Sequence, residues 1–376
     1  MTDTDAFLLG HAQAADWRDA LDACLRQLGE VPQAANLGFV YVTDAYADSL
    51  QLIVEQLRAG TGVEHWTGTV GIGICATDRE YHDAAAMAVM IGGFSEDSFR
   101  LLSFYGRAAD HLPASWDEWL QRSASHVAVL HGDPGNGMLP ELLKQLHGEL
   151  PGGYLVGGLT SSHGPHPQIA DTLREGGLSG VVFNSDTAVA TALSQGCSPI
   201  APRRVITDCH GNVINYIDQR PALDVFKEDI GEILARDLNR AAGYIFVGLP
   251  IEGSDTGDYL VRNLIGIDTQ GKRIAIGDMI HPGQKIQFCR RDGQTAWEDM
   301  QRMLDGLQQR LAGATPRGGL YFSCLGRGEA LFGSDSAEVR MIHNTLGDFP
   351  LVGFFANGEI FNQRLYGYTG VLTLFM

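Results

Sequence analysis

Three short segments, TVGIGI, YLVGGL and PLVGFF, recur along this chain in the same local setting, and their recurrence constrains the fold more than any other feature. The first copy opens with a strand-like LGFVYVTD and a helix-like DSLQLIVEQL, in which Leu50, Ile53, Val54 and Leu57 fall on one face; GTVGIGICA and AAMAVMI follow. The second runs SHVAVLHGD, MLPELLKQL with Leu139, Leu142, Leu143 and Leu146 aligned, YLVGGLTSS and LSGVVF. The third runs GGLYFSCLGRG, SAEVRMIHNTLG with Val339, Ile342 and Leu346 aligned, FPLVGFFANGEI and YTGVLTLF. The shared grammar is strand, glycine-bearing loop, helix, strand through V-G, turn, strand. A partial fourth copy starts at AGYIFVGLP, after DIGEILARDL with Ile230, Ile233, Leu234 and Leu238 at helical spacing. Glycine inside a strand marks a place where another backbone comes close, so the V-G steps call for tight packing and not for a ligand.

The repeats give a mixed α/β (α+β) fold class, with mixed sheets built from strand-helix-strand-strand units in two related domains. With 376 residues, two domains is also the expectation from length. The segment from Ser194 to Phe226 interrupts the pattern. It carries proline and arginine, and its alternating RVITDCHGNVINYID reads as a hairpin turning at His210-Gly211-Asn212. The domain junction therefore falls near Arg220, giving domains 1–219 and 220–376. Beyond it, KRIAIGDMIHPGQKIQFCRRDG alternates and turns at Pro282-Gly283. A helix follows with Met300, Met303, Leu304, Leu307 and Leu311 on one side.

Composition narrows the function classes. Lys+Arg is 27 against Asp+Glu 45, a net charge of −18 that disfavours phosphate backbones and anionic membranes, so neither nucleic acid nor membrane is an expected partner. The six cysteines are scattered without a CxxC pair, which suits reduced thiols. The opening MTDTDAFLLGHAQAAD has no basic region ahead of an apolar one, and no run reaches the length of a spanning helix. A cytoplasmic location is the expectation. There is no G-x-S-x-G elbow, Walker A loop or HExxH, so an enzyme is not expected.

The ordered motifs resemble the FIST proteins, a family of intracellular sensory and signal-transduction proteins. DREYHDAAAMAVMIG is similar to the family's N-terminal signature, and VITDCHGNVINYIDQRPALDVF to the start of its second domain. LYFSCLGRGEALFG, FPLVGFFANGEI and LYGYTGVLTLF follow its C-domain pattern. The resemblance covers nearly the whole chain and departs at one point. The family continues G-E-I with a glycine-proline step, whereas Phe361, Asn362 and Gln363 stand here, so the wall beside Glu359 differs. The resemblance implies a small-ligand sensor, with amino acids the favoured ligands and no cofactor. Its separate signalling partner would be a histidine kinase or a cyclic-nucleotide enzyme. An alternative it carries is a haem-binding nitric oxide sensor that regulates a histidine kinase.

Three constellations could hold a ligand. In SCLGRGEALFG, Ser323, Cys324, Gly326, Arg327 and Gly328 follow a strand; such a loop can turn its N–H groups into an anion nest, with Arg327 as a bidentate donor. The plain alternative is a tight turn with Arg327 in solvent. Glu359, with Asn357 two residues earlier, would lie at the same sheet edge as Arg327 if the strands of Ser323 and Phe355 are neighbours. An acid and a base held apart suit a zwitterion, and a direct Glu359–Arg327 salt bridge is the structural alternative. In ATDREYHD, Arg79 and Glu80 hold the place in the first repeat that ANGEI holds in the third, and either a related pocket or a charged surface turn fits. Cys324 reads as a small buried hydrophobe or, beside an arginine, as a reactive thiol. Two patterns are decoys. GIGICA (Gly71, Gly73, Ala76) matches G-x-G-x-x-A but precedes no helix, which a dinucleotide site requires. His163 and His166, like Cys209-His210, sit in turns without a third ligand.

Overall fold

The repeated grammar is present three times, and each copy seeds its own six-stranded sheet. The computed structural model describes residues 7–104, 111–251 and 259–376. The first copy comprises β1 (Leu8–Gln13), α1 (Trp17–Leu28), β2 (Leu37–Thr43), α2 (Leu50–Thr61), β3 (His65–Gly71), the hairpin β4 (Ile74–Ala76) and β5 (Arg79–Tyr81), and β6 (Ala86–Gly92). The second comprises β7 (Phe99–Phe104), α3 (Asp117–Gln121), β8 (His126–Gly132), α4 (Leu139–Glu149), β9 (Gly153–Leu159), the hairpin β10 (Gln168–Ala170) and β11 (Thr172–Arg174), and β12 (Leu178–Asn184). The third opens with β13 (Val189–Ser194) and is then interrupted. The interruption holds β14 (Ser198–Pro199), β15 (Arg204–His210), β16 (Val213–Ile217), β17 (Arg220–Pro221), α5 (Ala222–Ala235), α6 (Leu238–Tyr244), β18 (Ile245–Pro250), β19 (Tyr259–Asp268), β20 (Arg273–Ile276) and β21 (Lys285–Arg290). The copy resumes with α7 (Gly293–Leu311), β22 (Gly318–Cys324), α8 (Glu329–Phe332), α9 (Ala337–Leu346), β23 (Leu351–Ala356), the hairpin β24 (Glu359–Phe361) and β25 (Arg364–Tyr366), and β26 (Gly370–Phe375).

The sheets share one order: β1-β6-β2-β3-β10-β11, β7-β12-β8-β9-β24-β25 and β13-β26-β22-β23-β4-β5. In each, the two strands joined by the copy's helix are parallel and the copy's last strand pairs antiparallel to the first of them. The short hairpins do not stay at home. The first copy's hairpin extends the third sheet, the second's extends the first, and the third's extends the second. Each copy is thus completed by another, in a closed cycle, and none can satisfy its second parallel strand alone.

The ladder shows why glycine recurs. Gly68, Gly157 and Gly353 stand opposite Val40, Leu130 and Tyr321 in the parallel pairs. A Cβ at these glycines would lie 1.8, 1.9 and 1.7 Å from the facing carbonyl oxygen, closer than any carbon can come. The expectation of close backbone approach holds, with one correction: the first-copy counterpart of Gly157 and Gly353 is Gly68, not Gly71. One residue past the facing positions come Tyr41, His131 and Phe322, whose rings form a triangle 5.6, 6.3 and 6.3 Å on a side. They sit in an apolar core to which all three sheets contribute, Phe39, Val129, Val181 and Leu320 among them. His131 is fully buried there, and burial pushes its pKa down to about 3, so the ring is neutral. The α1 and α2 faces close a second core and α4 a third.

By packing, residues 1–194 and 301–376 form one unit and residues 195–300 another. The division near Arg220 read from the sequence runs along the chain, whereas this grouping follows three-dimensional packing. In the second unit β21, β15, β16, β20, β19 and β18 pair antiparallel in sequence around a ring, which β18–β21 closes. Leu223, Val225, Phe226 and Ile230 of α5 pack against Ile206, Ile214, Ile274 and Phe288. The hairpin turning at Gly211-Asn212 is as expected. The fourth copy is not: Ile245–Pro250 makes only antiparallel pairs, and Gly231 at φ 79° breaks the preceding helix, leaving Ile233 85% exposed.

Candidate functional site

The end of β22 places its side chains alternately on the two faces of the strand, and the two faces receive different chemistry. Tyr321 and Ser323 share one face with the buried pair of Arg327 and Glu338. After Cys324 the chain makes a tight turn in which Arg327 N–H donates to Cys324 O at 2.8 Å. That turn sends the Arg327 side chain back over the strand. Its Nε lies 2.7 Å from Glu338 Oε1, with both side chains 0% accessible. Nη2 reaches Ser194 Oγ at 3.3 Å and the Tyr321 hydroxyl at 3.4 Å, Nη1 reaches Tyr368 O at 3.5 Å, and the guanidinium lies 4.9 Å above the Phe332 ring. Glu338 also accepts from the Tyr321 hydroxyl at 2.5 Å, Ser323 Oγ at 3.0 Å and Gly328 N–H at 2.8 Å. Burial works against the charge on Arg327, but Glu338 and Tyr321 outweigh it and hold the group protonated. The nest expected around Gly326 and Gly328 is divided: Gly328 N–H serves the protein's own Glu338 carboxylate, and Gly326 N–H serves the Cys324 sulfur. Arg327 is not in solvent, and its salt-bridge partner is Glu338 and not Glu359.

The other face of the strand end holds the second acid. Glu359 opens β24 and thus belongs to the second sheet, opposite Gly158 of β9. The expected neighbouring of β22 and β23 is present, with Ser323 opposite Phe355. Yet the chain crosses to another sheet at Asn357-Gly358, and Glu359 lies beside Cys324. Glu359 is 0% exposed. Thr369 donates to its Oε2 through N–H at 3.0 Å and Oγ1 at 2.7 Å. Oε1 is buried and accepts no hydrogen bond. The Cys324 thiol stands beside the same carboxyl. Burial pushes the Glu359 pKa up to about 8, against the smaller pull of Thr369, Arg327 and the thiol. Burial, with the Glu359 charge adding to it, raises Cys324 to about 12, while the N–H groups of Gly326 and Tyr368 draw it back. That environment suits a protonated thiol, not a nucleophile. Next along the chain, Leu325 is 37% exposed and Asn357 is exposed; Leu325 N–H donates to Ala356 O at 3.0 Å, joining the two loops.

Arg79 and Glu80 divide. They lie on β5, the second strand of the first hairpin; the register makes Ile74, not the ATDREYHD turn, the counterpart of Glu359. Glu80 is 7% exposed and comes to the third sheet because its hairpin is exchanged there. Its N–H donates to Ser336 Oγ at 2.9 Å, its Oε1 accepts from Val339 N–H at 3.3 Å, and its Oε2 is 3.0 Å from His82 Nε2. His82 packs 4.4 Å from the Phe355 ring. Glu80 thus anchors the start of α9, which carries Glu338. Arg79 is exposed and turns over the Tyr81 ring at 5.6 Å, away from this network.

Glu338, Tyr321, Ser194 and Thr369 belong to the site and were not singled out in the sequence. One signal was available for Glu338: it shares a helix face with Met341 and Ile342, where a charge needs a buried partner. The decoys resolve as loops. Gly71 and Gly73 lead into the β4–β5 hairpin, not a helix. His163 and His166 are held by Asp44 at 2.8 Å and Asp133 at 3.5 Å. Among the described residues no cluster of three or more His, Cys, Asp or Glu is placed to hold a metal ion, all six cysteines are free, and no helix is long and apolar enough to cross a membrane.

With this geometry in place, comparison with known proteins gives the class. The FIST N domain matches residues 36–220 and the FIST C domain residues 222–362, and the chain belongs to the FIST family of signal-transduction sensors. An uncharacterized protein of Mycobacterium tuberculosis (strain ATCC 25618 / H37Rv) is 31% identical over 82% of this chain and 83% of its own length. An uncharacterized protein of Mycobacterium bovis is 28% identical over 93% of this chain and 92% of its own length.

Proposed function

We propose that this protein is a cytoplasmic sensor that binds a small amine-bearing, amino-acid-like ligand at the end of β22 and signals to a separate protein. The observation that carries the reading is Glu359 Oε1, a fully buried carboxyl oxygen that accepts no well-formed hydrogen bond, although the Cys324 thiol stands beside the carboxyl. Leaving such an atom unsatisfied costs about 1–3 kcal/mol or more, so its retention points to a group that arrives from outside. A ligand ammonium supplies the missing donor and charge. Cys324, Asn357 and Leu325 form the surroundings through which it would enter. The FIST domains between them account for residues 36–220 and 222–362 and are sensory, not catalytic. The family's signalling role supports an output through a partner such as a histidine kinase or a cyclic-nucleotide enzyme, without nucleic acid or membrane as a target. Calorimetric titration of the full chain with an amino-acid panel, beside Glu359→Gln, tests the reading. Saturable binding lost in the variant is expected; a flat titration across the panel would sink it. Haem addition is the second arm, and a saturable Soret band with no amine binding would replace this reading with a haem sensor.

A further inference from the structure

Resting on the reading just given, we propose that this site recognises its ligand through the ammonium alone, so that primary amines lacking a carboxylate are ligands in their own right. A zwitterion site needs an acid and a cation, each with capacity to spare. Here the two faces of β22 have separated them. Arg327 is turned to Glu338 on one face, where both side chains are sealed from solvent. Glu359 is on the other face with its open oxygen.

The buried donors around the strand end are also engaged. Gly328 N–H serves Glu338, Thr369 N–H and hydroxyl serve Glu359, and the N–H groups of Gly326 and Tyr368 serve the Cys324 sulfur. His82 is paired with Glu80, and Arg79 lies over Tyr81. A ligand carboxylate entering here would lose water and meet no buried donor, with only the solvent-exposed Asn357 amide open to it, which costs it affinity unless it stays in solvent. An ammonium gains Oε1. The half-exposed Leu325 offers apolar surface to a short alkyl or aryl tail. The chain's net charge of −18 favours the approach of cations and opposes that of carboxylates.

The test uses the full-length protein and matched pairs: glycine with methylamine, alanine with ethylamine, leucine with 3-methylbutylamine, phenylalanine with 2-phenylethylamine. In the tightest pair the amine is expected to bind within about threefold of the amino acid, or more tightly, by calorimetry. An amino acid that binds while its amine is about 30-fold weaker overturns this inference and leaves the ligand reading of the site standing. If no member of any pair binds, both fall. Glu359→Gln, which keeps the shape and removes the capacity to ionise, is expected to weaken the amine at least about tenfold. Equal, salt-screened binding to variant and parent means adventitious attraction to an acidic surface and overturns the proposal. The paired comparison needs no variant, so it remains decisive should Glu359→Gln fail to fold.

Discussion

Arg327 and Glu338 satisfy one another inside the protein: Nε and Oε1 are 2.7 Å apart, and neither side chain is accessible to solvent. A buried pair of this kind gives little net stability over an apolar pair, but breaking it strands a charge. Glu338→Gln is expected to cost about 3–5 kcal/mol. Arg327→Met combined with Glu338→Leu is expected to cost clearly less than the sum of the single changes, because each single change leaves its partner unpaired. Urea midpoints for the four proteins of the cycle measure the coupling. Additive losses would mean that the pair is not a unit.

Glu359 makes the stability depend on pH. Folded, it holds its proton to about pH 8; its ordinary value, taken here for the unfolded chain, is 4.5. Between those values the folded state binds more protons, so the stability from this group is full below about pH 4.5 and is lost as pH rises through about 8. Glu359→Gln is expected to remove that decline and to be more stable than the parent at about pH 8. Chemical denaturation of both proteins across this range measures the difference in slope. Parallel curves would show that Glu359 is not the titrating group.

How much of this could be read from the chain follows from the range of the interactions. The helix faces of Leu50–Leu57 and Leu139–Leu146 and the glycine strands are local patterns, and both were legible. The exchange of hairpins was not. The three residues of β24 carry no sign that their partner is β9, more than 200 residues earlier, and not β23 beside them. That crossing decides the site. It takes Glu359 off the sheet of Arg327, and it brings Glu80 to α9 from the far end of the chain. The identities of Arg327 and Glu359 were visible as an acid and a base in glycine loops; their separation by a strand depends on side-chain alternation at Ser323 and Cys324 together with the exchange.

The exchange also predicts cooperativity within residues 1–194 and 301–376. Since β4–β5 completes β23, β10–β11 completes β3, and β24–β25 completes β9, opening any one sheet exposes the edge of another. Native-state hydrogen exchange of the central strands β2, β8 and β22 is expected to give one common opening free energy. Three well-separated values would mean that the copies open independently. Gly353→Ala is the matching mutation: its Cβ meets Tyr321 O at 1.7 Å, so a loss of about 3 kcal/mol or more is expected, and it should lower protection in all three strands together.

The protonation of Glu359 also ties ligand binding to proton release. Near neutral pH the free site holds a carboxylic acid, with a pKa of about 8. An ammonium is best served by a carboxylate, so forming the ion pair expels the carboxyl proton to solvent: one ligand enters and one proton leaves. Calorimetry of the tightest amine at about pH 7 in buffers of different ionisation enthalpy is expected to give an apparent enthalpy that becomes more negative as the buffer's ionisation enthalpy rises, with a slope near minus one, because the buffer takes up the released proton. Affinity should increase about tenfold per pH unit below about pH 8 and level off above it, where the site is already ionised. A slope of zero, with affinity independent of pH, would mean that the amine binds without meeting Glu359.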